Sequence, residues 1–523
     1  MPWDDVPSAS RRRLLVSAGG LAAAMGTGLA ARAAAPDAMS APRGAAEPFW
    51  GPHQAGIVTP AQDHLYFATF DLVTGKRDEV AALLGRWTAA AAALSMGRTV
   101  TVPPMAAPAP ASPAATAYAP AAQPADPGSY APAAAGTGRD ATPPSTGRDA
   151  TPPGTGRDAT PSGTGRDARP PDIGPDAAPP GTARYAAPPG AGTDGGTAAS
   201  GYGGDAGSEQ PDPGHDSLEA LGLGPSRLTL TFGFGPGLFL RDGRDRYGLA
   251  ALRPAALADL PRFNGDQLQP ARTGGDLSVQ ACADDPQVAF HAVRELARLA
   301  YGVAQLRWAQ TGFIARPGTG GTPRNLLGFK DGTQTPEQIE HVVWAGDEAP
   351  AWMRGGSYLV VRRIRMALEH WDRTNVSFQE QTIGREKLSG APLGLKDEFA
   401  PLGLDRADRD GNPIIPDTAH VRLANAGTNG GAEILRRGYS YNDGADFTAE
   451  RWPPWRQGIE YDAGLFFVCY QRDPRTGFIR IFENMAKLDM LNQFVTHTGG
   501  GLFACPGGAR EGEFIGQRLF ESA

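Results

Sequence analysis

The segment from residue 102 to residue 216 limits most strongly what this chain can fold into. Its composition is reduced largely to Ala, Pro, Gly, Thr and Asp. The pentapeptide Thr-Gly-Arg-Asp-Ala recurs within it, with arginines nine residues apart at positions 139, 148, 157 and 166. A segment with so little apolar surface cannot offset the entropy that is lost on ordering. We therefore predict that residues 102–216 form a disordered insertion.

Foldable sequence continues on both sides of this insertion. Its first stretch contains short apolar or alternating runs, typical of strands, and apolar residues three or four positions apart, typical of helices. These patterns predict a strand, a helix, two strands, a helix and a strand, in this order: His64–Leu72, Arg77–Leu94, Leu228–Phe234, Leu277–Ala283, Asp285–Gln305 and Arg307–Ala315.

The second stretch repeats the same order of elements. They are predicted at Ser357–Met366, Leu368–Thr382, Glu433–Tyr441, Gly464–Gln471, Glu483–His497 and Gly501–Cys505. The order β-α-β-β-α-β is that of a ferredoxin-like domain. We therefore expect an α+β protein of two packed ferredoxin-like domains with antiparallel sheets, with the insertion between the first helix and the second strand of the first domain.

The N-terminus has the pattern of an export signal. Ser10-Arg11-Arg12-Arg13-Leu14-Leu15 precedes an apolar run that extends to Ala31, and small residues follow. This pattern predicts a twin-arginine signal peptide, and hence an extracellular, periplasmic or cell-envelope protein with no stable membrane insertion after signal removal. A membrane anchor is the alternative, although the run is short for a span.

The predicted organisation follows from these patterns. Its parts are a signal peptide at 1–35, a linker at 36–46, the first domain at 47–101 and 217–318, the insertion at 102–216 and the second domain at 319–523.

Charge and cysteine content exclude several classes of protein. The net charge is −7 and no basic stripe is present, which argues against a nucleic-acid partner. Cys282, Cys469 and Cys505 are odd in number and far apart, so they indicate neither a disulfide framework nor a zinc site. We expect them to be small core residues.

Histidine is the usual neutral ligand of haem iron, but composition alone does not select one of the eight at positions 53, 64, 215, 291, 341, 370, 420 and 497. Three local segments narrow the choice. They are Gly328-Phe329-Lys330-Asp331-Gly332-Thr333, His420-Val421-Arg422-Leu423-Ala424-Asn425 and Ile434-Leu435-Arg436-Arg437-Gly438-Tyr439-Ser440-Tyr441.

These segments, in this order, resemble the signature of the dye-decolorizing haem peroxidases. Further matches are Gly51–Ile57, Ile383–Lys387, Ser389–Gly394 and Gly499–Phe503. The set is most similar to the exported bacterial subgroup that includes deferrochelatase/peroxidases. The resemblance covers about 48–101 and 217–523, and the repeat insertion departs from the family pattern.

The resemblance implies one haem b (iron protoporphyrin IX) per chain, held in the second domain with His420 as the iron ligand. It implies that Asp331 moves the peroxide proton and that Arg436 stabilises the departing oxygen. Arg437 is the alternative to Arg436, but neighbouring strand residues point to opposite faces, so only one of them can face the haem.

Three further residues are candidates for the haem site. Asp489 matches a carboxylate that orients the ligating histidine in some family members, although a solvated helix residue is the alternative. Arg385 resembles a position that reaches a haem propionate. Phe467, or its neighbour Phe466, is a candidate wall of the distal pocket.

The function implied is a peroxidase that reduces hydrogen peroxide and oxidises dyes, phenols or similar donors through a high-valent iron–oxo intermediate. Two alternatives stay open. One is a deferrochelatase-type protein that releases iron from haem, and the other is a non-catalytic haem-binding module. The natural donor and the oligomeric state, including a homo-oligomer, are not fixed by the sequence.

Overall fold

The computed structural model describes residues 44–102, 215–318, 320–449 and 457–522. The predicted signal peptide, most of the linker and nearly all of the predicted insertion lie outside these ranges. Within them, no helix combines the length and the apolar character needed to cross a membrane.

Nine strands carry the fold of the described residues. They are β1 His64–Leu72, β2 Thr229–Phe234, β3 Leu277–Ala283, β4 Ala304–Phe313, β5 Ser357–Met366, β6 Leu435–Arg436, β7 Tyr439–Ala449, β8 Gln457–Gln471 and β9 Val495–Cys505.

The α-helices in the described ranges are mostly short. They are α1 Arg77–Ser95, α2 Pro236–Phe239, α3 Pro286–Leu299, α4 Ile339–Val343, α5 Leu368–Trp371, α6 Val376–Ile383, α7 His420–Leu423, α8 Phe478–Leu488 and α9 Gln517–Glu521. Short 3₁₀ turns lie at Ala250–Leu252, Pro270–Arg272, Ala351–Met353 and Met490–Gln493.

The two halves of the chain have the same strand arrangement. In the first half the order across the sheet is β2-β3-β1-β4, and in the second half it is β7-β8-β5-β9, with antiparallel neighbours throughout. The central strands are β1 and β3 in the first half and β5 and β8 in the second half. Leaving out the short strand β6, these are the first and third strands of each half, as the repeated order of elements in the sequence predicts.

The two sheets are joined, a feature that the prediction of two packed ferredoxin-like domains did not include. Phe234 of β2 pairs with Ala504 of β9, and Phe313 of β4 pairs with Ser440 of β7, so that eight strands close into one barrel. Joining removes the unpaired backbone groups that an open edge would expose.

Side chains fill the barrel interior, as expected for eight strands. One buried apolar cluster draws on most of the barrel strands and includes Leu65, Phe67, Leu359, Tyr439, Phe466 and Phe503. Helices α1 and α3 cover the outer face of the first half. The outer face of the second half carries α8 and the residues of the predicted site, so the interior is structural and the site lies outside the barrel.

Several predicted elements differ from the structure, and the helix predicted at Leu368–Thr382 is divided into α5 and α6. The helix predicted at Glu483–His497 ends at Leu488, because Asp489 turns the chain and accepts a hydrogen bond from the backbone N–H of Leu491. The last strand starts at Val495 rather than Gly501, so His497 lies in a strand. The strand predicted at Glu433–Tyr441 is divided into β6 and β7, with Arg437 and Gly438 between them.

The three cysteines are buried, as their apolar surroundings predicted, and none forms a disulfide. The ends of the predicted insertion are packed against the fold. Val102 is buried and donates a backbone hydrogen bond to the carbonyl of His215 at 3.2 Å, which brings residues 102 and 215 together.

Candidate functional site

A tight turn between residues 323 and 332 holds Asp331. Gly328 and Gly332 have φ angles of 86° and 112°, a backbone region that favours glycine. The backbone N–H of Asp331 donates to the carbonyl of Pro323 at 2.8 Å. Phe329 is buried beside Trp371, whose indole N–H donates to the carbonyl of Leu327 at 3.0 Å. These contacts anchor the turn to the apolar core beneath it.

Glu398 holds the same turn in place through side-chain hydrogen bonds. Its buried carboxylate accepts hydrogen bonds from Thr322, Lys330 and Thr333, the last at 3.1 Å. Burial alone would raise the pKa of Glu398, but these donors outweigh burial and lower it. Sequence reasoning missed Glu398, because nothing local to residue 398 shows that it contacts a turn more than sixty residues earlier.

Arg436 and Arg437 point to opposite faces of strand β6, as strand geometry requires. Arg437 is buried and donates to the carbonyl of Thr59 and to the side chain of Gln62. Arg436 lies on the outer face, where its Nη1 donates to Asp331 Oδ1 at 3.0 Å. The arginine predicted at the site is therefore the one that contacts Asp331.

His420 begins helix α7 and contacts Asp489. Its Nδ1 lies 2.7 Å from Asp489 Oδ2, and the Asp489 side chain is 3% exposed. The backbone N–H of Met490 donates to the carbonyl of Thr418 at 3.1 Å, which ties the two segments together. The helical, solvated alternative for Asp489 is wrong: this residue ends α8 and is buried against the imidazole.

The charges of Asp489, Arg436 and Asp331 all affect the pKa of His420. Burial lowers the pKa of His420, but the Asp489 carboxylate more than offsets this effect and raises the pKa above its ordinary value. The charges of Arg436 and Asp331 also act on His420. The side chains of His420, Arg436 and Asp331 are 32%, 38% and 28% exposed. Residues far apart in sequence are thus each partly exposed, and their charges interact.

Arg385 follows Gly384, which ends helix α6 with a φ of 91° and packs tightly against Val421 of α7. Its guanidinium is buried and donates to the carbonyls of Gly390 at 2.7 Å and Glu398 at 3.0 Å. The charge of Arg436 acts on Arg385, so both are near the site. Contact of Arg385 with a propionate stays a prediction.

Phe466 and Phe467 also point to opposite faces. Phe466 belongs to the barrel interior. Phe467 lies on the outer face of β8, two residues before Cys469, which pairs with Arg436 in the neighbouring strand. Its ring centroid is 5.8 Å from that of Phe478 on α8. Of the two candidates, Phe467 therefore shares the sheet face of Arg436, and its role as a pocket wall stays a prediction.

A second cluster of titratable side chains lies where the chain re-enters the fold after the insertion. Asp216, His291 and Glu295 are buried, and their possible ligand atoms lie within 4.8 Å of one another. Arg298 donates to both oxygens of Glu295 at 2.7–2.8 Å, and the backbone N–H of Val100 donates to Asp216 at 3.0 Å. Because these oxygens already accept hydrogen bonds, we interpret the cluster as structural. It holds residues 100 and 216 together.

Comparison with known proteins gives the family directly. The family model described as Dyp-type peroxidase, N-terminal, matches residues 54–129 and 194–314, and the model described as Dyp-type peroxidase, C-terminal, matches residues 322–510. The chain is 44% identical over 324 residues to the dye-decolorizing peroxidase of Thermobifida fusca, an alignment that covers 59% of this chain and 71% of that protein. It is 36% identical over 334 residues to the deferrochelatase of Escherichia coli K12, covering 60% and 75% of the two chains.

Solved structures agree. The ferric form of DtpA from Streptomyces lividans superimposes with a TM-score of 0.65 at 33% identity, covering 93% of this chain and 100% of that chain. A DyP-type peroxidase from Cellulomonas bogoriensis superimposes with a TM-score of 0.65 at 29% identity, covering 92% and 100%. Both halves of the chain match the family and the barrel matches its solved members, so this chain belongs to the Dyp-type peroxidase family.

Proposed function

We propose that this haem peroxidase binds iron through His420 and activates hydrogen peroxide with Asp331 and Arg436. The observation that carries the proposal is the 3.0 Å contact between Arg436 and Asp331 on the surface where both charges act on His420. A storage protein needs neither a proton acceptor nor a cation there. Oxidation of dyes, phenols or similar donors follows as the activity.

The residues around His420 fit haem. The imidazole uses Nδ1 to contact Asp489, which leaves Nε2 as the coordinating nitrogen, the arrangement that is usual for a ligating histidine. The Asp489 carboxylate makes the ring more basic. An apolar cluster, which includes Leu327, Phe329, Met366 and Ile383 and against which Val421 packs, joins the elements that carry Asp331, Arg385 and His420. Arg385 and Phe467 complete the proposed haem contacts.

Bound haem supplies the redox centre at which peroxide is reduced. Asp331 would accept a proton from hydrogen peroxide and return it to the departing oxygen. Arg436 would stabilise the negative charge that develops as the O–O bond breaks. Since Glu398 and the buried turn hold Asp331 in place, the two groups act without reorganising.

The test is made on the haem-loaded protein. One equivalent of peroxide is expected to change the haem absorption spectrum within the mixing time, and an added dye is expected to restore it. In the variant Arg436→Leu the rate of the peroxide step should fall by roughly 10²–10³-fold, since a preorganised donor to the developing charge is lost. Stopped-flow absorbance measures both steps. An unchanged rate in the variant would refute the assignment of Arg436.

The same preparation separates the alternative function. A deferrochelatase-type activity shares every residue named above, and several relatives carry that name. Its product is iron-free protoporphyrin, which is recognised by its fluorescence after extraction. Recovery of protoporphyrin in proportion to the haem added would favour iron release, whereas dye oxidation with intact haem supports the peroxidase.

Asp489 should determine how tightly haem is held. Replacing it by asparagine keeps the shape but removes the charge that makes His420 basic. We expect haem affinity or activity to fall by roughly 10–100-fold, as is usual when the carboxylate partner of a ligating histidine is lost. Haem transfer to apomyoglobin measures the loss. The exposed pair of Asp347 and Arg354 provides a control in Asp347→Asn, which should retain haem like the parent protein.

Export and domain organisation belong to the same proposal. The twin-arginine pattern at residues 10–15 supports export to an extracellular, periplasmic or cell-envelope location, which cell fractionation would test. The strand order β2-β3-β1-β4, repeated as β7-β8-β5-β9, supports the description of each half as ferredoxin-like. The low-complexity composition of 102–216 supports a disordered insertion.

A further inference from the structure

The orientation of the Asn325 side chain is fixed by the turn that it begins. Its Oδ1 accepts hydrogen bonds from the backbone N–H groups of Leu327 at 3.1 Å and Phe329 at 3.3 Å. A side-chain amide that must present its oxygen to two N–H donors cannot be flipped. Its NH₂ group therefore points the other way, and there it donates to Asp331 Oδ2 at 3.5 Å.

The carboxylate of Asp331 is consequently held at both oxygens. Arg436 approaches Oδ1 from strand β6, and Asn325 approaches Oδ2 from the turn. The contact with Asn325 is longer than a usual N–H···O hydrogen bond, as is common at catalytic groups before substrate binds. Two contacts from separate elements fix the rotation of the carboxylate about its own bond, which a single contact with a partly exposed arginine does not.

Asn325 differs in charge from the groups around it. Arg436 is cationic, Lys330 is paired with Glu398, and the charge of Asp331 acts on His420. An uncharged donor can orient the carboxylate. It weakens the ability of the carboxylate to accept a proton less than a second cation would. Sequence reasoning did not select Asn325, although an asparagine three residues before a turn glycine is a recognisable Asx-turn signal.

We propose that Asn325 is a positioning residue that aims the Asp331 carboxylate at peroxide. This inference rests on the proposed role of Asp331 in the reaction. The competing explanation is that Asn325 only shapes the turn. That explanation needs Oδ1 alone, and aspartate fulfils it equally well because Asp and Asn both form Asx turns.

The variant Asn325→Asp separates the two explanations. It keeps the oxygen that accepts from Leu327 and Phe329 and replaces the NH₂ donor by a second oxygen facing Asp331. We expect the peroxide step of the haem-loaded protein to slow by roughly 10–100-fold, the effect of losing a hydrogen bond to a charged group. Reduction of the peroxide-oxidised protein by dye, which does not use Asp331, should keep its rate.

A second variant removes the donor without adding charge. Asn325→Ser retains a side-chain oxygen for the turn, and we expect it to slow the peroxide step as well. A readout independent of haem accompanies both variants: crystal structures of the haem-free proteins should show the Asp331 carboxylate rotated away from Arg436 Nη1 or in several conformers. The matched control is Asn442→Asp at another Asx turn, where Oδ1 accepts from the N–H of Gly444 at 3.1 Å. It should leave the peroxide rate unchanged.

The outcomes distinguish this inference from the proposed function. If Asp331→Asn is slow while both Asn325 variants react like the parent protein, Asn325 only shapes the turn and the inference fails. If Asp331→Asn itself reacts normally, the role of Asp331 fails first. A slow peroxide step in the Asn325 variants, with unchanged dye reduction and unchanged unfolding temperature, supports positioning.

Discussion

Replacing Asp331 by asparagine is expected to slow the reaction with hydrogen peroxide by roughly 10²–10⁴-fold, the range for loss of a general acid–base group. The substitution preserves the size of the side chain and its position on the turn. It removes the ability to take the peroxide proton and return it to the departing oxygen. The rate of the haem spectral change under single-turnover conditions measures the effect.

The free energy of unfolding should hardly change in Asp331→Asn. Asp331 and Arg436 are 28% and 38% exposed, and such ion pairs typically contribute about 0–1 kcal/mol. The unfolding temperature should therefore stay within a few degrees of that of the parent protein. Asp347→Asn, which removes the carboxylate of another exposed pair at 3.3 Å, is the control for charge loss alone. A peroxide rate equal to that of the parent protein in Asp331→Asn would remove Asp331 from the mechanism.

The second large effect that we expect is a loss of folding stability in acid, caused by the buried side chain of His497. This side chain is 8% exposed, and its Nδ1 accepts a hydrogen bond from Arg362 Nε at 3.2 Å. Burial, together with the positive charge of Arg362, lowers the pKa of His497 to about 3. Asp266 forms an ion pair with the same guanidinium, so the neutral imidazole lies at the end of a buried polar chain.

The sign of the pH dependence follows from that lowered pKa. In the unfolded chain the imidazole takes up a proton below about pH 6.5, whereas in the folded protein it stays neutral down to about pH 3. The stabilisation is complete above pH 6.5 and is lost as the pH falls toward 3. The full loss is on the order of 5 kcal/mol.

We expect His497→Asn to reduce this loss of stability, because asparagine can present an oxygen to Arg362 and does not titrate. Urea unfolding of the parent protein and the variant at pH 7, 5.5 and 4.5 measures the difference. His370→Asn at an exposed position is the control and should follow the parent protein. If His497→Asn lost as much stability on acidification as the parent protein, a different group would be responsible.

Local patterns were sufficient for most of the secondary structure. Strand β1 lies at the predicted residues, and the alternating run at 228–234 became β2. The helix predicted from Asp285 starts there because Asp285 caps it, accepting from the backbone N–H groups of Gln287 and Val288. The end of α8 was predicted too late because the predicted helix ran through Asp489, whereas this residue ends the helix and its carboxylate contacts an imidazole 69 residues earlier.

The sequence by itself determined the repeated β-α-β-β-α-β order, the glycines that place Asp331 on a turn, and the strand alternation that separates Arg436 from Arg437. These are properties of neighbouring residues, and backbone sterics and side-chain periodicity act over a few positions. Only the tertiary structure decided that the two sheets close into one barrel. It alone brought Glu398 to the Asp331 turn and showed the contact of Asp489 with His420 that the family resemblance had implied, because contacts between distant residues depend on how whole elements pack.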